Sequence, residues 1–257
     1  MRRTPVVITS VVLVGIALSA FALRRDPVTA EATPPEGTLS FTPHAPSQTV
    51  ETGLKPLGLG AERDGFLFVP KGNEPTHPAP LLVLLHGATQ RARLFERIAP
   101  MADSAGVVIL APDSRGMTWD AVRDAFGPDV RFIDRAVMRA FDRAYIDSCR
   151  VVLGGFSDGA SYALSLGIRN ARHLRGVVAF SPGFIIPAHE IGRLPVFVRH
   201  GTRDEILPID NASRAIVPAL RSAGFIVDYA EFDGPHTVRP ADARDALDWV
   251  NARTCPN

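Results

Sequence analysis

The chain has 257 residues, 46% hydrophobic and 21% charged, which is enough for one large domain with a substantial core and too few for a second full one. With 28 basic against 27 acidic side chains the formal charge is +1, so no broad basic face is available to neutralise phosphates, and nucleic-acid binding is excluded on this ground. Two cysteines at long spacing make no zinc-binding pattern and fit a single disulfide in an oxidising compartment.

Residues 1–23 open with Met1-Arg2-Arg3 and continue as an apolar run to Leu23, with Ala20-Phe21-Ala22 as a small-x-small site. This pattern predicts a signal peptide or an uncleaved membrane anchor, and with either an exported protein, secreted, periplasmic or tethered. Residues 24–50 are rich in Pro, Thr, Ser and Ala and lack a period, which predicts a disordered, exposed linker. The folded domain is expected over residues 51–257.

Within it, apolar strand-like runs alternate with amphipathic ones. Strands are predicted at 66–69, 81–85, 107–110, 151–153, 176–180, 195–199 and 225–232, and helices at 94–105, 130–145, 159–169, 211–223 and 241–252. Continuous runs such as LLVLL suit strands buried on both faces. The alternation predicts an α/β fold, a mostly parallel central sheet with helices on both faces.

In such a sheet, chemistry belongs just beyond the carboxyl ends of the strands. Ser157 lies there, in Gly155-Phe156-Ser157-Asp158-Gly159 between a buried strand and a helix. Small residues at both ends of GxSxG permit the sharp turn that projects a nucleophilic hydroxyl. A serine needs a base and an orienting acid. Asp204 follows the sixth strand in HGTRDE, with Glu205 as the adjacent alternative, and His236 is the one of seven histidines that falls between the last strand and the last helix. His86 and His200 each precede a glycine at a strand end, where an imidazole more often supports a loop. An oxyanion hole needs two backbone donors, assigned to the N–H groups of Asp158 and of Ala88 in the turn after LLVLL.

HGATQRARLFERIAPMADSAGVVILAPDSRGMTWD, GGFSDGASYALSLG, RHGTRDEILPI and GPHTV together resemble the phospholipase/carboxylesterase group of α/β-hydrolases, related to exported esterases and polyester depolymerases, over about residues 60–252. The resemblance implies an α/β-hydrolase fold and a serine carboxylic-ester hydrolase. It implies Ser157, Asp204 and His236 as its triad, with neither metal nor organic cofactor, acting on a small-molecule or polymeric ester. Met117, Trp119, Phe184 and Ile185 are the candidates for an acyl-pocket wall. Only Ser181 to Leu194 separates the fifth and sixth strands, too short for a large cap domain, which predicts an open site for short or exposed esters. Membrane contact is expected only through the N-terminal segment. On this topology Cys149 and Cys255 both reach the end of the sheet opposite the site, where they can pair. A peptidase or amidase on the same fold, and a non-catalytic tethered binding protein, are the alternative functions.

Overall fold

The computed structural model describes residues 37–123, 125–187 and 192–255. The expected signal peptide or anchor, and the linker as far as residue 36, lie outside the described residues. Eight strands form one sheet in the order β1-β2-β4-β3-β5-β6-β7-β8: β1 (Gly53–Pro56), β2 (Gly65–Val69), β3 (Ala79–Leu85), β4 (Val108–Pro112), β5 (Ile146–Phe156), β6 (Gly176–Phe180), β7 (Val196–Gly201) and β8 (Val227–Phe232). The first two pairings, β1 with β2 and β2 with β4, are antiparallel, and all others are parallel. Every residue of β3, β4 and β6 is buried, as the uninterrupted apolar runs require of central strands covered on both faces. The edge strands β1 and β8 alternate instead and carry Lys55, Pro56, Asp228 and Glu231, which discourage pairing with another chain.

The helices are α1 (Ala99–Ala105), α2 (Asp120–Arg123), α3 (Pro128–Arg143), α4 (Asp158–Arg169), α5 (Ser213–Ser222) and α6 (Pro240–Asn251). Helices α3, α4 and α5 pack Phe132, Tyr162 and Val217 into one core, while α1 and α6 pack Ala102 and Leu247 into the core on the other face. Two of the boundaries that differ from expectation do so for local reasons. The helix expected from Leu94 is a 3-10 turn over Ala92–Ile98 followed by α1, where Pro100 falls in the first helical turn, a place that needs no N–H donor. Strand β8 begins at Val227 rather than Phe225, because Gly224 (φ +85°) and Phe225 close α5. Their N–H groups donate to the Arg221 and Leu220 carbonyls at 2.9 and 3.0 Å, a Schellman cap. Strand β1, too short to show a period, was not predicted.

Residues 37–50 correct the expected linker. Leu39 and Phe41 are buried. The Leu39 N–H donates to Asn170 Oδ1 at 2.7 Å, and the N–H groups of Ser40 and Phe41 both donate to Asp134 Oδ1 at 2.8 Å. Two apolar residues two apart, in an otherwise Pro- and Thr-rich stretch, are enough to lay this segment along α3 as a strap. Cys149, near the start of β5, is bonded to Cys255 beyond α6, with their Cα atoms 5.0 Å apart.

Candidate active site

Strands β3, β5, β6, β7 and β8 end on one rim, and Ser157 stands at its centre as the residue between β5 and α4. Its backbone has φ 59° and ψ −124°. A non-glycine residue at positive φ is strained and persists only where its surroundings impose it. Here they do: the Ser157 N–H donates to Phe180 O at 2.9 Å, and its carbonyl accepts from Ala160 and Ser161. The flanking glycines are steric necessities. A Cβ on Gly159 would lie 2.1 Å from the Leu85 carbonyl oxygen, and one on Gly155 would lie 2.4 Å from the Gly159 carbonyl. The only other non-glycine residues at positive φ among the described ones, Thr89 and Ser181, follow β3 and β6 on the same rim.

Facing Ser157 is the turn after β3. A Cβ on Gly87 would come within 3.2 Å of Ser157 Cβ, so this turn approaches the serine as closely as a glycine permits. The N–H groups of Ala88 and Asp158 make no hydrogen bond to the described residues. Asp158 opens α4, where helical N–H groups lack an i−4 acceptor and the helix dipole favours negative charge. The Asp158 carboxylate is itself held aside by Thr118 Oγ1 at 2.7 Å. Buried His86 fixes the turn from behind. Ser114 N–H donates to its Nε2 at 3.0 Å, so the proton sits on Nδ1 and is donated to Gly87 O at 2.8 Å. Burial lowers the His86 pKa, in keeping with that neutral ring.

His236 lies on the loop between β8 and α6, its ring 4.6 Å from that of Phe156, the neighbour of Ser157. Its Nδ1 donates to Asp204 Oδ2 at 2.5 Å. Asp204 Oδ1 accepts from the N–H groups of Ile206 and Leu207 at 3.0 and 2.8 Å. Burial works to raise the Asp204 pKa, but the Leu207 N–H and His236 outweigh it and the net shift is downward, so the group is a carboxylate. Glu205 is exposed, and it is Asp204 that meets His236. The Ser157 hydroxyl makes no hydrogen bond to the described residues, His236 included. Such bonds often tighten only when substrate is bound.

The pocket candidates divide. Trp119 is not a pocket wall: it is fully buried, donates Nε1–H to His86 O at 2.8 Å, and packs between the rings of His86 and Tyr162. Its indole N–H needed a buried acceptor, and the strand-end carbonyl supplied one. Met117 is 66% exposed, and its carbonyl accepts the Thr89 N–H at 2.6 Å. Phe184 and Ile185 are half-buried, Ile185 against the core. Sequence reasoning missed Ile206, 69% exposed, which lines an open depression of about 410 Å3 with Arg203, Glu205, Pro235 and His236. The one cluster of metal-capable side chains among the described residues, Asp147 with Cys149 and Cys255, has both its sulfurs joined to each other.

Fold and rim together define an α/β-hydrolase. The esterase PE8 matches with a TM-score of 0.60 at 20% identity over 74% of this chain and 98% of its own, and a carboxylesterase from Bacillus cereus with 0.56 at 21% over 72% and 92%. The chain belongs to the phospholipase/carboxylesterase family, whose model matches residues 58–249. It is 26% identical to the NocK protein of Nocardia uniformis subsp. tsuyamanensis over 69% of this chain and 60% of that one. It is 30% identical to the esterase FrsA of Pectobacterium atrosepticum over 49% and 30%, and 27% identical to acyl-protein thioesterase 1 of Yarrowia lipolytica over 42% and 51%. The chain thus spans less than two thirds of each of these relatives.

Proposed function

We propose that the protein is an exported serine hydrolase that cleaves carboxylic esters through an acyl-enzyme, with Ser157 as nucleophile, His236 as base and Asp204 as orienting acid. The observation that carries the reading is the strained Ser157 elbow, set against the Gly87 turn on the rim where Asp204 holds His236. The Asp204 bond fixes the proton on Nδ1 and leaves Nε2 free to take the serine proton. Ser157 Oγ then bonds to the ester carbonyl carbon, and the electron pair moves onto the carbonyl oxygen, where the Ala88 and Asp158 N–H groups receive it. Collapse expels the alkoxide, which takes the proton from His236 Nε2. Water, deprotonated by the same nitrogen, attacks the acyl group, and the acid leaves as Ser157 recovers its hydrogen.

The open depression beside His236 favours short or exposed esters, and the names of relatives extend the field to thioesters. Export rests on the sequence of residues 1–23 and on the disulfide. The test is hydrolysis of p-nitrophenyl esters of short and long acyl chains by the whole chain beside Ser157→Ala. Short esters are expected to turn over, and the substitution to remove at least about 10³-fold of the rate. A folded Ser157→Ala protein with unchanged activity overturns the assignment. Cleavage of anilides in preference to esters favours an amidase.

A further inference from the structure

We propose that His200 is a positioning residue for this reaction: as a neutral imidazole it fixes the Asp204 loop and sets the charge that Asp204 presents to His236. The inference rests on the catalytic reading above. His200, in β7, is fully buried, and its two nitrogens meet different partners. Nε2 lies 2.9 Å from Leu207 O and 3.0 Å from Asp204 Oδ2, both acceptors only, so Nε2 carries hydrogen. Nδ1 lies 2.7 Å from Ser213 Oγ, a hydroxyl able to donate to it. The ring is therefore complete in its neutral Nε2–H form, with no water needed.

The Nε2–H dipole has two consequences. By bonding the Leu207 carbonyl it anchors the residue whose own N–H holds Asp204 Oδ1. By standing beside Oδ2 it shares with His236 the oxygen on which catalytic orientation depends. The titratable groups facing His200 are Asp204 and His236 on the two loops and Glu231 of β8, the last already paired with Arg214 of α5 at 2.6 Å. Burial lowers the His200 pKa, against the opposing pull of the Leu207 carbonyl and Asp204. Neutral, His200 does not compete with the positive charge that His236 acquires during reaction.

The experiment compares the whole chain with His200→Phe, which keeps a ring and loses both nitrogens, and His200→Gln, whose amide N–H extends toward the former Nε2 position. Ser157→Ala is assayed alongside. In His200→Phe, kcat is expected to fall about tenfold or more and KM to change by less, since His200 acts through Asp204 and His236 rather than on the substrate. Relieved of one N–H dipole, Asp204 holds a positive neighbour more tightly, so the acid limb of kcat/KM moves to higher pH. His200→Gln is expected to recover most of kcat and to return the limb toward its original position. Wild-type kcat and an unmoved limb in a folded His200→Phe overturn the proposal, as do equal losses in both variants with the limb unmoved, the signature of a merely structural residue. Should His200→Phe not fold, Ser213→Ala reads the same network: a lower kcat at constant KM supports it, and an unchanged profile overturns it. Full activity in Ser157→Ala is a separate result that removes the catalytic reading itself.

Discussion

The Asp204 carboxylate does two jobs with its two oxygens. Oδ1 is fastened to the backbone of its own loop, and Oδ2 faces His236. In Asp204→Asn, the amide oxygen occupies one of these positions and the NH2 the other. If the NH2 faces His236, it forces the imidazole proton onto Nε2, where it blocks acceptance from Ser157. If it faces the loop, it opposes two backbone N–H groups. The expected outcome is a fall in kcat of about 10³- to 10⁴-fold with a folded protein, read by steady-state kinetics beside circular dichroism. Glu205→Gln, which disturbs no bond to His236, is expected to lose less than about tenfold. At this scale the places of Ser157, its glycines, Asp204 and His236 at the ends of strands were legible in the sequence, because each carries a steric or electronic requirement of its own. Trp119 was not, since a large apolar side chain after a strand reads the same whether it lines a pocket or braces a turn. His200 was read as a loop support, and nothing in the chain spelled out that its N–H would reach both Leu207 and Asp204.

Among the elements, the connection from β4 to α3 ties the site together. Met117 and Trp119 bond the turn after β3, Thr118 bonds Asp158, and Asp129 of α3 holds the connection from beneath, accepting from the N–H groups of Arg115 and Asp120 at 2.5 and 2.7 Å. Burial pushes the Asp129 carboxyl up to about 6, against the two backbone bonds, which lower it. The folded protein therefore binds this proton more tightly than the unfolded chain. The stabilisation it brings is complete below the ordinary value of 3.8 and is lost as the pH rises through about 6. Two units correspond to roughly 3 kcal/mol. Asp129→Asn is expected to abolish this component, so that the difference in unfolding free energy between wild type and variant changes steeply between about pH 4 and 6 and is flat above about pH 7. Urea unfolding across that range measures it, and a constant difference refutes it. The helical period placed α3 within two residues of its observed ends, whereas the burial of Asp129 was hidden, because a single aspartate behind a proline reads as an ordinary first-turn acid.

For the molecule as a whole, the mostly parallel sheet was legible in the buried runs and their spacing, and the strap was not, because its burial depends on contacts with α3 that no local pattern announces. The disulfide belongs to this scale, since it joins residues 106 apart in sequence and ties the end of α6 to the start of β5. His236 lies before α6 and Cys255 beyond it, so the bridge and His236 stand at opposite ends of one helix. That helix is also kept in place by burial of Ala243, Ala246, Leu247 and Val250. The bridge is thus expected to act on the unfolded chain more than on the site. In the chain-entropy model a loop of this length is worth about 4 to 5 kcal/mol, and loss of such a bridge in practice costs roughly 2 to 5. At about 2 to 4 °C per kcal/mol for a chain of this size, Cys149→Ser with Cys255→Ser is expected to lower Tm by roughly 5 to 20 °C. With α6 still packed, kcat at 25 °C is expected to stay within about twofold. Calorimetry and ester hydrolysis on the same samples separate the two effects. Equal loss of kcat and of Tm would mean that the bridge holds the His236 loop itself, and an unchanged Tm would mean that α6 needs no covalent tie.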